Sequence, residues 1–454
     1  MRGLLLLAAL TPLAAQAQTV EQTNLRYDED WSALRDAPRD GWRQVKYVPL
    51  DGDGDVYLTL GGEARARFEG FDDNLWGDPP APDDGYLWLR VMPHADVHAG
   101  PARVFVQGIA GYARGVGAGK GPADETGVDL LQGFADVRIP LGNGDGDGLT
   151  LRAGRELMAL GSERLVGIRY GPNVPQAFDG VRAIATHGPV RIDAFHLRPV
   201  AIGGGDFDDK TSTTRRLDGV YTTLTPAKGV GIDAYWLGYE NEAARFAGRT
   251  GREMRDSFGL RFFGKRGDLG WNWEAVIQRG YFGADRIRAW TLATETAWSF
   301  PQAPFKPRLR LRANVASGDR NPADRTLGTF NALFPKGKYF GELSPIGPRN
   351  IVNVHPSVDF DLGRGVTVEV VAARFWRESR GDGIYDIPGQ LIRQAGNSRA
   401  RRIGDQVEVS AGWQANDILS FSASLSAFRP GAFIRDTGPA HTIHMAGAEA
   451  LLKF

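Results

Sequence analysis

Arginine alternates with apolar residues in one short stretch of this chain, and the spacing could bind carboxylates. Leu309 and Leu311 alternate with Arg308, Arg310 and Arg312. Guanidinium groups bind carboxylates through paired hydrogen bonds and stay charged at any working pH. Side chains on a β-strand point to opposite faces with period two, so the three arginines would share one face. The stretch therefore predicts a strand with a cationic face and an apolar face.

Such a strand fits two architectures. A soluble sandwich would bury the leucines and leave the arginines in water, whereas a membrane barrel turns the leucines to lipid and the arginines to a water-filled lumen. The same alternation begins at Val56, returns over residues 86–98 and continues to Phe454, so that a last strand could close on the first. The pattern predicts an all-β fold, a transmembrane antiparallel barrel of about 18 strands.

The connections between these segments alternate in length, as periplasmic turns and extracellular loops do in bacterial barrels. Tight turns are predicted at residues 142–148, 187–189, 226–229, 265–268, 363–365 and 415–417. Long loops are predicted at residues 113–127, 157–177, 198–215, 240–254, 318–349 and 378–399.

Composition agrees with an exported barrel. The 454 residues contain no cysteine, so neither disulfides nor thiolate metal sites are available. No segment beyond the amino terminus has the roughly 20 apolar residues of a membrane helix. The 54 basic residues balance 54 acidic ones, which argues against a general nucleic-acid binder. Abundant glycine, 59 residues, suits the many turns of a barrel.

The amino terminus predicts export. Met1 and Arg2 precede a short apolar run that ends in the small-residue site Ala15-Gln16-Ala17. This arrangement is typical of a secretory signal peptide, so residues 1–17 are expected to be removed by cleavage after Ala17. Residues 18–55 lack sustained alternation and are expected to form a periplasmic leader, which leaves residues 56–454 for the barrel.

Strand alternation predicts which charged side chains face the lumen. Rings of basic side chains select anions, provided that several weak sites let the solute move on. Glu63, Glu69, Asp136 and Glu274 are expected to pair with some of the arginines and limit trapping. For any single arginine the alternative is a structural ion pair across strands. The predicted lumen arginines are Arg65, Arg67, Arg90, Arg138, Arg152, Arg182, Arg261, Arg286, Arg288, Arg308, Arg310, Arg312 and Arg402.

Other chemistry is less favoured. Asp51, Asp53 and Asp55 have the spacing of a calcium loop, but the twelfth position is Gly62 rather than glutamate, so a solvated turn is the preferred interpretation and no metal is assigned. Ser162 has no evident catalytic base, so an outer-membrane hydrolase is the least favoured of three functional hypotheses. No enzymatic activity and no cofactor are expected. Five tryptophans near strand ends suit an interfacial aromatic girdle: Trp271, Trp273, Trp290, Trp298 and Trp413.

The sequence also resembles the alginate export family of outer-membrane proteins. The resemblance rests on the segments NLRYDEDWSALRD, KYVPL and YLTLGGEARARFE, and on two long loops with their flanking strands. The matching positions in those loops are Gly154-Arg155, Arg164-Leu165, Asn173, residues 178–180, residues 330–334 and Gly341-Glu342. The resemblance implies an 18-stranded monomeric barrel with an arginine-lined pore for a polyuronate. In one departure from the family, the turn at residues 415–418 is short, so a periplasmic plug at that turn is not expected.

Together these features predict a passive channel in the outer membrane of a Gram-negative bacterium. An anionic polysaccharide is the leading cargo, and an uptake porin for small organic anions or oligosaccharides is the alternative. The expected partners are outer-membrane lipid and the anionic solute, with periplasmic export proteins as further candidates and no nucleic acid.

Overall fold

The computed structural model describes residue 20 and residues 22–142 and 146–454. The predicted signal peptide lies outside the described residues, as does part of the predicted turn at residues 142–148. The described chain forms a closed antiparallel barrel of 18 strands. The strands are β1 Val56–Asp72, β2 Asp84–Ala99, β3 Ala102–Arg114, β4 Gly127–Pro140, β5 Gly148–Leu157, β6 Ala177–His187, β7 Val190–Ala201, β8 Arg215–Ala227, β9 Val230–Phe246, β10 Arg249–Arg266, β11 Leu269–Phe282, β12 Asp285–Ser299, β13 Arg308–Ala316, β14 Ile351–Gly363, β15 Val366–Trp376, β16 Arg402–Gln414, β17 Leu419–Pro430 and β18 Ile443–Lys453.

The first and last strands close the barrel. β1 pairs with β2 along its whole length and with β18 from Glu63, opposite Lys453, to Asp72. Beyond β18, Phe454 and Gly62 exchange two backbone hydrogen bonds of 3.0 Å. Closure of this kind satisfies the backbone groups that an open sheet edge would leave unpaired in lipid.

The two faces of the strands have opposite chemistry. Leu309 and Leu311 are 51% and 49% exposed on the outside of β13, while Arg310 and Arg312 form ion pairs inside the barrel. Leucines in a soluble sandwich would be covered by a second layer, so the predicted membrane barrel is confirmed. Four of the predicted girdle tryptophans are also exposed on the outer face: Trp273, Trp290, Trp298 and Trp413.

One predicted loop is wrong. Residues 240–254 form a hairpin, because β9 and β10 continue to Phe246 and Arg249 and turn through Ala247 and Gly248. These strand ends carry charged side chains on the outer face, such as Glu240, which accepts a hydrogen bond from Arg252 at 2.9 Å. Polar residues on both faces hide the alternation that marks a lipid-facing strand.

Smaller elements occur in the leader and the loops. The only α-helix with helical backbone angles in the described chain, α1, is Ala432–Thr437, and Asn74–Gly77 forms a turn with left-handed residues. None of the helices in that part of the chain is long and apolar enough to cross a membrane. The remaining elements are the 3₁₀ helices Arg26–Asp28, Ser32–Leu34 and Gly41–Val45 and the short strands Val48–Pro49, Lys210–Thr211, Thr326–Leu327, Ile384–Tyr385 and Leu391–Arg393.

The leader packs inside one side of the barrel. Tyr27 is 5% exposed and makes edge contacts with the inward rings of Phe105 and Phe134, on β3 and β4. Its hydroxyl donates to the carbonyl of Leu157 at 2.7 Å, and Arg26 donates to the carbonyl of Phe454 at 2.7 Å. The leader thus occupies lumen space beside β3–β5, at the end where the turns are short.

Candidate functional site: the barrel lumen

Two long loops fold into the lumen from the opposite end. Loop A, residues 158–176, joins β5 to β6, and loop B, residues 317–350, joins β13 to β14. The loops pair where Gly167 donates to Phe334 and Phe334 donates to Leu165, both at 2.8 Å. Phe334 is 2% exposed and packs edge-on against Phe178 and Tyr239, so the two loops share one apolar core.

Two predicted pore arginines hold loop A in place. Arg65 donates to the carbonyls of Gly171 and Pro172 at 3.1 and 2.7 Å, and its side chain is 1% exposed. Arg90 donates to Pro172 at 3.1 Å and forms an ion pair with Glu63 at 2.6 Å. Because carbonyls of the same chain cover both guanidinium groups, neither lines an open passage.

Two further predicted arginines are buried beneath the leader. Arg152 contacts Asp136 at 2.8 Å and Glu156 at 2.9 Å, and its guanidinium lies 4.3 Å from the ring centre of Tyr27. Arg182 shares Glu156 at 3.0 Å and adds Asp193 at 2.7 Å. These groups form a compact charged network in which each carboxylate is matched.

The space left between the loops and the wall includes two cavities in the described part of the chain. The outer vestibule, of about 1000 Å³, opens toward the long loops, and the inner vestibule, of about 490 Å³, lies nearer the short turns. Glu342 of loop B lines both. Basic side chains of the outer vestibule are Arg169, Arg215, Arg245, Lys338 and Arg349, and those of the inner vestibule are Arg67, Lys306, Arg308 and Arg310.

The inner vestibule contains two of the three alternating arginines. Arg310 contacts Asp359 at 2.7 Å and Glu369 at 3.0 Å, whereas Arg308 is exposed. Arg312, which lies nearer the long-loop end of β13, pairs with Glu295 at 3.1 Å. Serines of β16 and β17 form the facing wall. A polar cavity with an exposed arginine in its lining can attract an anion without holding it firmly.

The vestibules meet at a charged constriction, which we call the waist. It comprises Arg67, Glu69, Lys338, Glu342 and Glu449. Arg67 contacts Glu69 at 2.6 Å and Glu449 at 2.9 Å and also pairs with Glu342. Lys338 contacts Glu342 at 2.9 Å and Glu69 at 2.5 Å. Two cations therefore share three carboxylates where the linings of the two cavities come together.

Glu342 reaches the waist because loop B is tied to the wall. The carboxylate of Glu408, an inward residue of β16, accepts from the backbone nitrogens of Glu342 and Leu343 at 3.0 and 3.2 Å. Burial alone would raise the pKa of Glu342, but the charges of Lys338 and Arg67 outweigh it and lower the pKa to about 2. Glu342 is therefore ionised at any ordinary pH.

Other predicted lumen residues have different surroundings. Arg261 points inward and pairs with Asp233 at 2.7 Å, while Arg138 is exposed at the short-turn end of β4. The predictions for Arg286, Arg288 and Arg402 are wrong. Arg286 and Arg288 share the outer face of β12 with Trp290, and Arg402 pairs with Asp405 on the outside of β16. Strand parity holds for Arg286 and Arg288, which alternate with the buried Ile287 and Ala289, so their charge was misleading about their direction. A register shift between Phe375 and Trp376 places Arg402 opposite Trp376 and changes its parity.

The four predicted acidic partners each pair with an arginine, as expected. Glu63 contacts Arg90, Glu69 contacts Arg67, Asp136 contacts Arg152 and Glu274 contacts Arg164, at distances between 2.6 and 3.1 Å.

The weaker candidate sites have ordinary structural explanations. Asp51 accepts from the nitrogen of Val56 at 3.1 Å, and Asp55 pairs with Arg35 at 3.1 Å, as in a solvated turn. Ser162 donates to Glu274 at 2.7 Å. The described residues contain one acidic group with metal-ligand spacing, formed by Asp129, Asp208 and Asp209.

Sequence reasoning missed the loop side chains of the site. Lys338, Glu342, Arg169 and Arg349 belong to loops, where period-two alternation carries no information. One signal was available, since Gly341-Glu342 is among the positions that match the family pattern. Gly341 has a φ of +146° and lies close to Glu408, so a side chain there would crowd the carboxylate that anchors loop B.

Comparison with solved structures defines the class of protein. OccK2 (OpdF) of Pseudomonas aeruginosa, solved in complex with glucuronate, is 13% identical and superposes with a TM-score of 0.58 over 87% of this chain and 98% of that chain. OccAB1 of Acinetobacter baumannii is 11% identical, with a TM-score of 0.58 over 90% and 99%. At this identity the likeness shows the fold, which is that of an outer-membrane porin barrel.

The family is shown by the sequence itself. The alginate export family model matches residues 56–448, which is nearly the whole barrel. The chain therefore belongs to the alginate export family, and the resemblance seen in the sequence is confirmed. Family and fold together support a channel in the outer membrane.

A curated enzyme gives a partial match. The aspartate carbamoyltransferase catalytic subunit of Nocardia farcinica (strain IFM 10152) is 32% identical over 97 residues, or 20% of this chain. The chain spans 30% of the length of that protein. A match of this extent says nothing about the activity of a barrel.

Proposed function

We propose that this protein is a passive channel for an anionic uronate polysaccharide and has no catalytic activity. The observation that carries the proposal is the waist, where the carboxylate of Glu342 sits between the cations of Arg67 and Lys338. The carboxylate of a uronate sugar has the same charge and the same hydrogen-bonding geometry as this side chain. A passing uronate could therefore replace Glu342 at the two cations.

The vestibules on either side supply further sites for the same chemistry. A uronate leaving the waist would meet Arg308 and Arg310 in the inner vestibule. In the outer vestibule it would meet Arg169, Arg215 and Arg349. Arg310 already contacts two carboxylates of the barrel, Asp359 and Glu369, which weakens its hold on a uronate. Several weak sites in series permit conduction, whereas one strong site would block it.

Block of single-channel current tests this proposal. Oligouronates added to a planar bilayer should interrupt the current of the wild-type channel, and a neutral oligosaccharide of equal length should not. The variant R308Q/R310Q/R312Q should lose most of this block. A control variant, R216Q/R252Q/R374Q, removes three paired arginines from the outer face and should keep it. Block that is unchanged in the lumen variant would contradict the proposal.

Uptake of small organic anions is the second candidate, because the loops leave only narrow cavities and OccK2, a barrel of the same fold, binds glucuronate. Chain length separates the two candidates. A polysaccharide channel should be blocked more strongly by longer oligouronates, since more sugars occupy successive sites at once. A small-anion porin should respond to glucuronate and lose its response as length increases.

A further inference from the structure

Three arginines form a compact cluster on the outer face of the barrel. Arg279 lies on β11 and pairs in register with Arg288 on β12, and Arg286 is the next outward residue of β12. Directly opposed residues of an antiparallel sheet lie about 5 Å apart, and diagonal neighbours lie about 7 Å apart. All three side chains are exposed, so their charges face the surroundings of the barrel together.

Like charges directly opposite each other destabilise a sheet unless a counter-charge is present. None of the three guanidinium groups contacts a carboxylate within 4.0 Å in the described part of the chain. Asp256 on β10 lies opposite Arg279. Its carboxylate accepts a hydrogen bond from the indole nitrogen of Trp236 at 2.8 Å and does not contact Arg279.

Other outward arginines near the same end of the barrel are neutralised. Arg216 contacts Glu240 at 3.2 Å, Arg252 donates to the same carboxylate at 2.9 Å, and Arg374 contacts Asp405 at 2.7 Å. The barrel therefore supplies carboxylates to arginines elsewhere on this rim. The cluster of Arg279, Arg286 and Arg288 is left without such a partner.

The cluster lies at the edge of the lipid-facing band. Ile277 and Trp290 pair in register and are the next outward residues toward the middle of the barrel. Their side chains are 49% and 39% exposed. Tyr281, level with Arg286, is an amphipathic residue of the kind found at membrane interfaces. The cluster is at the end with the long loops, which in such barrels is the extracellular end.

We propose that Arg279, Arg286 and Arg288 bind the phosphorylated diglucosamine headgroup of lipopolysaccharide in the outer leaflet. Guanidinium groups bind phosphate through paired charged hydrogen bonds. The headgroup phosphates lie at the level of the interface, just above the acyl chains that would cover Ile277 and Trp290. One such lipid would bring phosphates into contact with the guanidinium groups, whereas Asp256 of the sheet bonds to Trp236 instead.

Native mass spectrometry of the full chain in detergent tests the proposal with bisphosphorylated lipid A as the probe. R279Q/R286Q/R288Q should weaken lipid A binding by about tenfold or more, since three charged contacts are lost. The control variant R216Q/R252Q/R374Q should bind as the wild type does. Heat-dependent migration on a gel reports whether each variant is a folded barrel.

Two further probes identify the group that is recognised. Wild-type binding should fall when both phosphates are removed from lipid A, and phosphatidylglycerol should bind more weakly than bisphosphorylated lipid A. Equal binding by the cluster variant and the wild type would overturn the proposal. Equal affinity for phosphate-free lipid A, or for phosphatidylglycerol, would also overturn it, because the recognised group would then be the acyl chains or any anionic lipid.

Discussion

Arginine side chains in this lumen divide into two groups at the scale of single residues. Arg65, Arg90, Arg152 and Arg182 are buried and bound to carbonyls or carboxylates of the chain, so they hold loop A and the leader in place. Arg308 is exposed in the lining of the inner vestibule, where a solute can reach it, and Arg67 also lines this cavity but contacts three carboxylates. Strand parity predicts that a residue faces inward, but whether it meets water depends on what else occupies the lumen.

Glu342 is the residue whose change should most directly alter conduction. In Glu342→Gln the side chain has lost the charge that neutralises Arg67 and Lys338, and the ion-pair network of the waist should lose about 1–2 kcal/mol of stability. Single-channel current in bilayers should rise severalfold, with greater anion selectivity. Glu240→Gln, which changes a glutamate on the outer face, is the matched control. A current indistinguishable from wild type would show that the waist is not the barrier.

Acidification should have the same effect as that substitution. The pKa of Glu342 is lowered to about 2, from an ordinary value of 4.5, so its ionisation stabilises the ion pairs of the waist at every pH above 4.5. This stabilisation declines between pH 4.5 and 2 as the carboxylate is protonated. Conductance recorded across this range should rise toward low pH in the wild type, and the rise should be much smaller in Glu342→Gln.

At the scale of elements, the leader occupies lumen space at the end where the turns are short, and its Arg43 pairs with Asp417 of the turn at residues 415–418 at 3.1 Å. Its contact with the barrel includes Lys46, which is buried beside the rings of Trp31 and Phe454, at 5.0 and 5.7 Å. Burial, and next to it the charge of Arg26, lowers the pKa of Lys46 to about 7, although Glu29 opposes the shift. The inward ring of His94 also faces this amine.

The docked leader should therefore become more stable as pH rises. A detached leader has a Lys46 of ordinary pKa, 10.5, so it binds more protons than the docked leader between pH 7 and 10.5. The penalty for docking falls across that window and is constant below it. Chymotrypsin cleavage of the leader should be faster than in Lys46→Met at pH 7, and the two rates should converge toward pH 10. Lys210→Met, which changes an exposed lysine, should behave as wild type. A ratio of the wild-type rate to the Lys46→Met rate that stays constant at all pH values would contradict this account.

At the scale of the whole molecule, the barrel reverses the arrangement of a soluble protein, because its apolar strand faces point outward and its charged strand faces point inward. Ion pairs line the inner wall around an apolar core formed by the loops, while aliphatic and aromatic residues cover the exterior as a single layer. Closure by β1 and β18 is what makes this possible, because lipid cannot satisfy a free strand edge. The loops and leader then convert a wide barrel into two small vestibules and a waist.

A charge placed on the outer face should test this arrangement. Leu311→Lys should destabilise the barrel by about 2–4 kcal/mol in lipid vesicles if Leu311 faces the bilayer interior. Ser422→Lys, which places the same charge in the inner vestibule, should cost far less. Denaturant unfolding of both variants in vesicles measures the difference, and equal costs would mean that Leu311 does not meet lipid.

The sequence by itself determined the barrel, its closure and the identity of most inward charges, because period-two alternation is a local property of extended backbone. The parity that Arg286 and Arg288 share with the outward Trp290 and Leu292 was present in the sequence, but their charge favoured the lumen. The direction of Arg402 depends on a register shift that alternation cannot show. Only the tertiary structure brought Glu342 and Lys338 to Arg67, residues more than 270 positions apart in the chain. Loop backbones have no fixed period, so their contacts follow from packing inside the closed barrel.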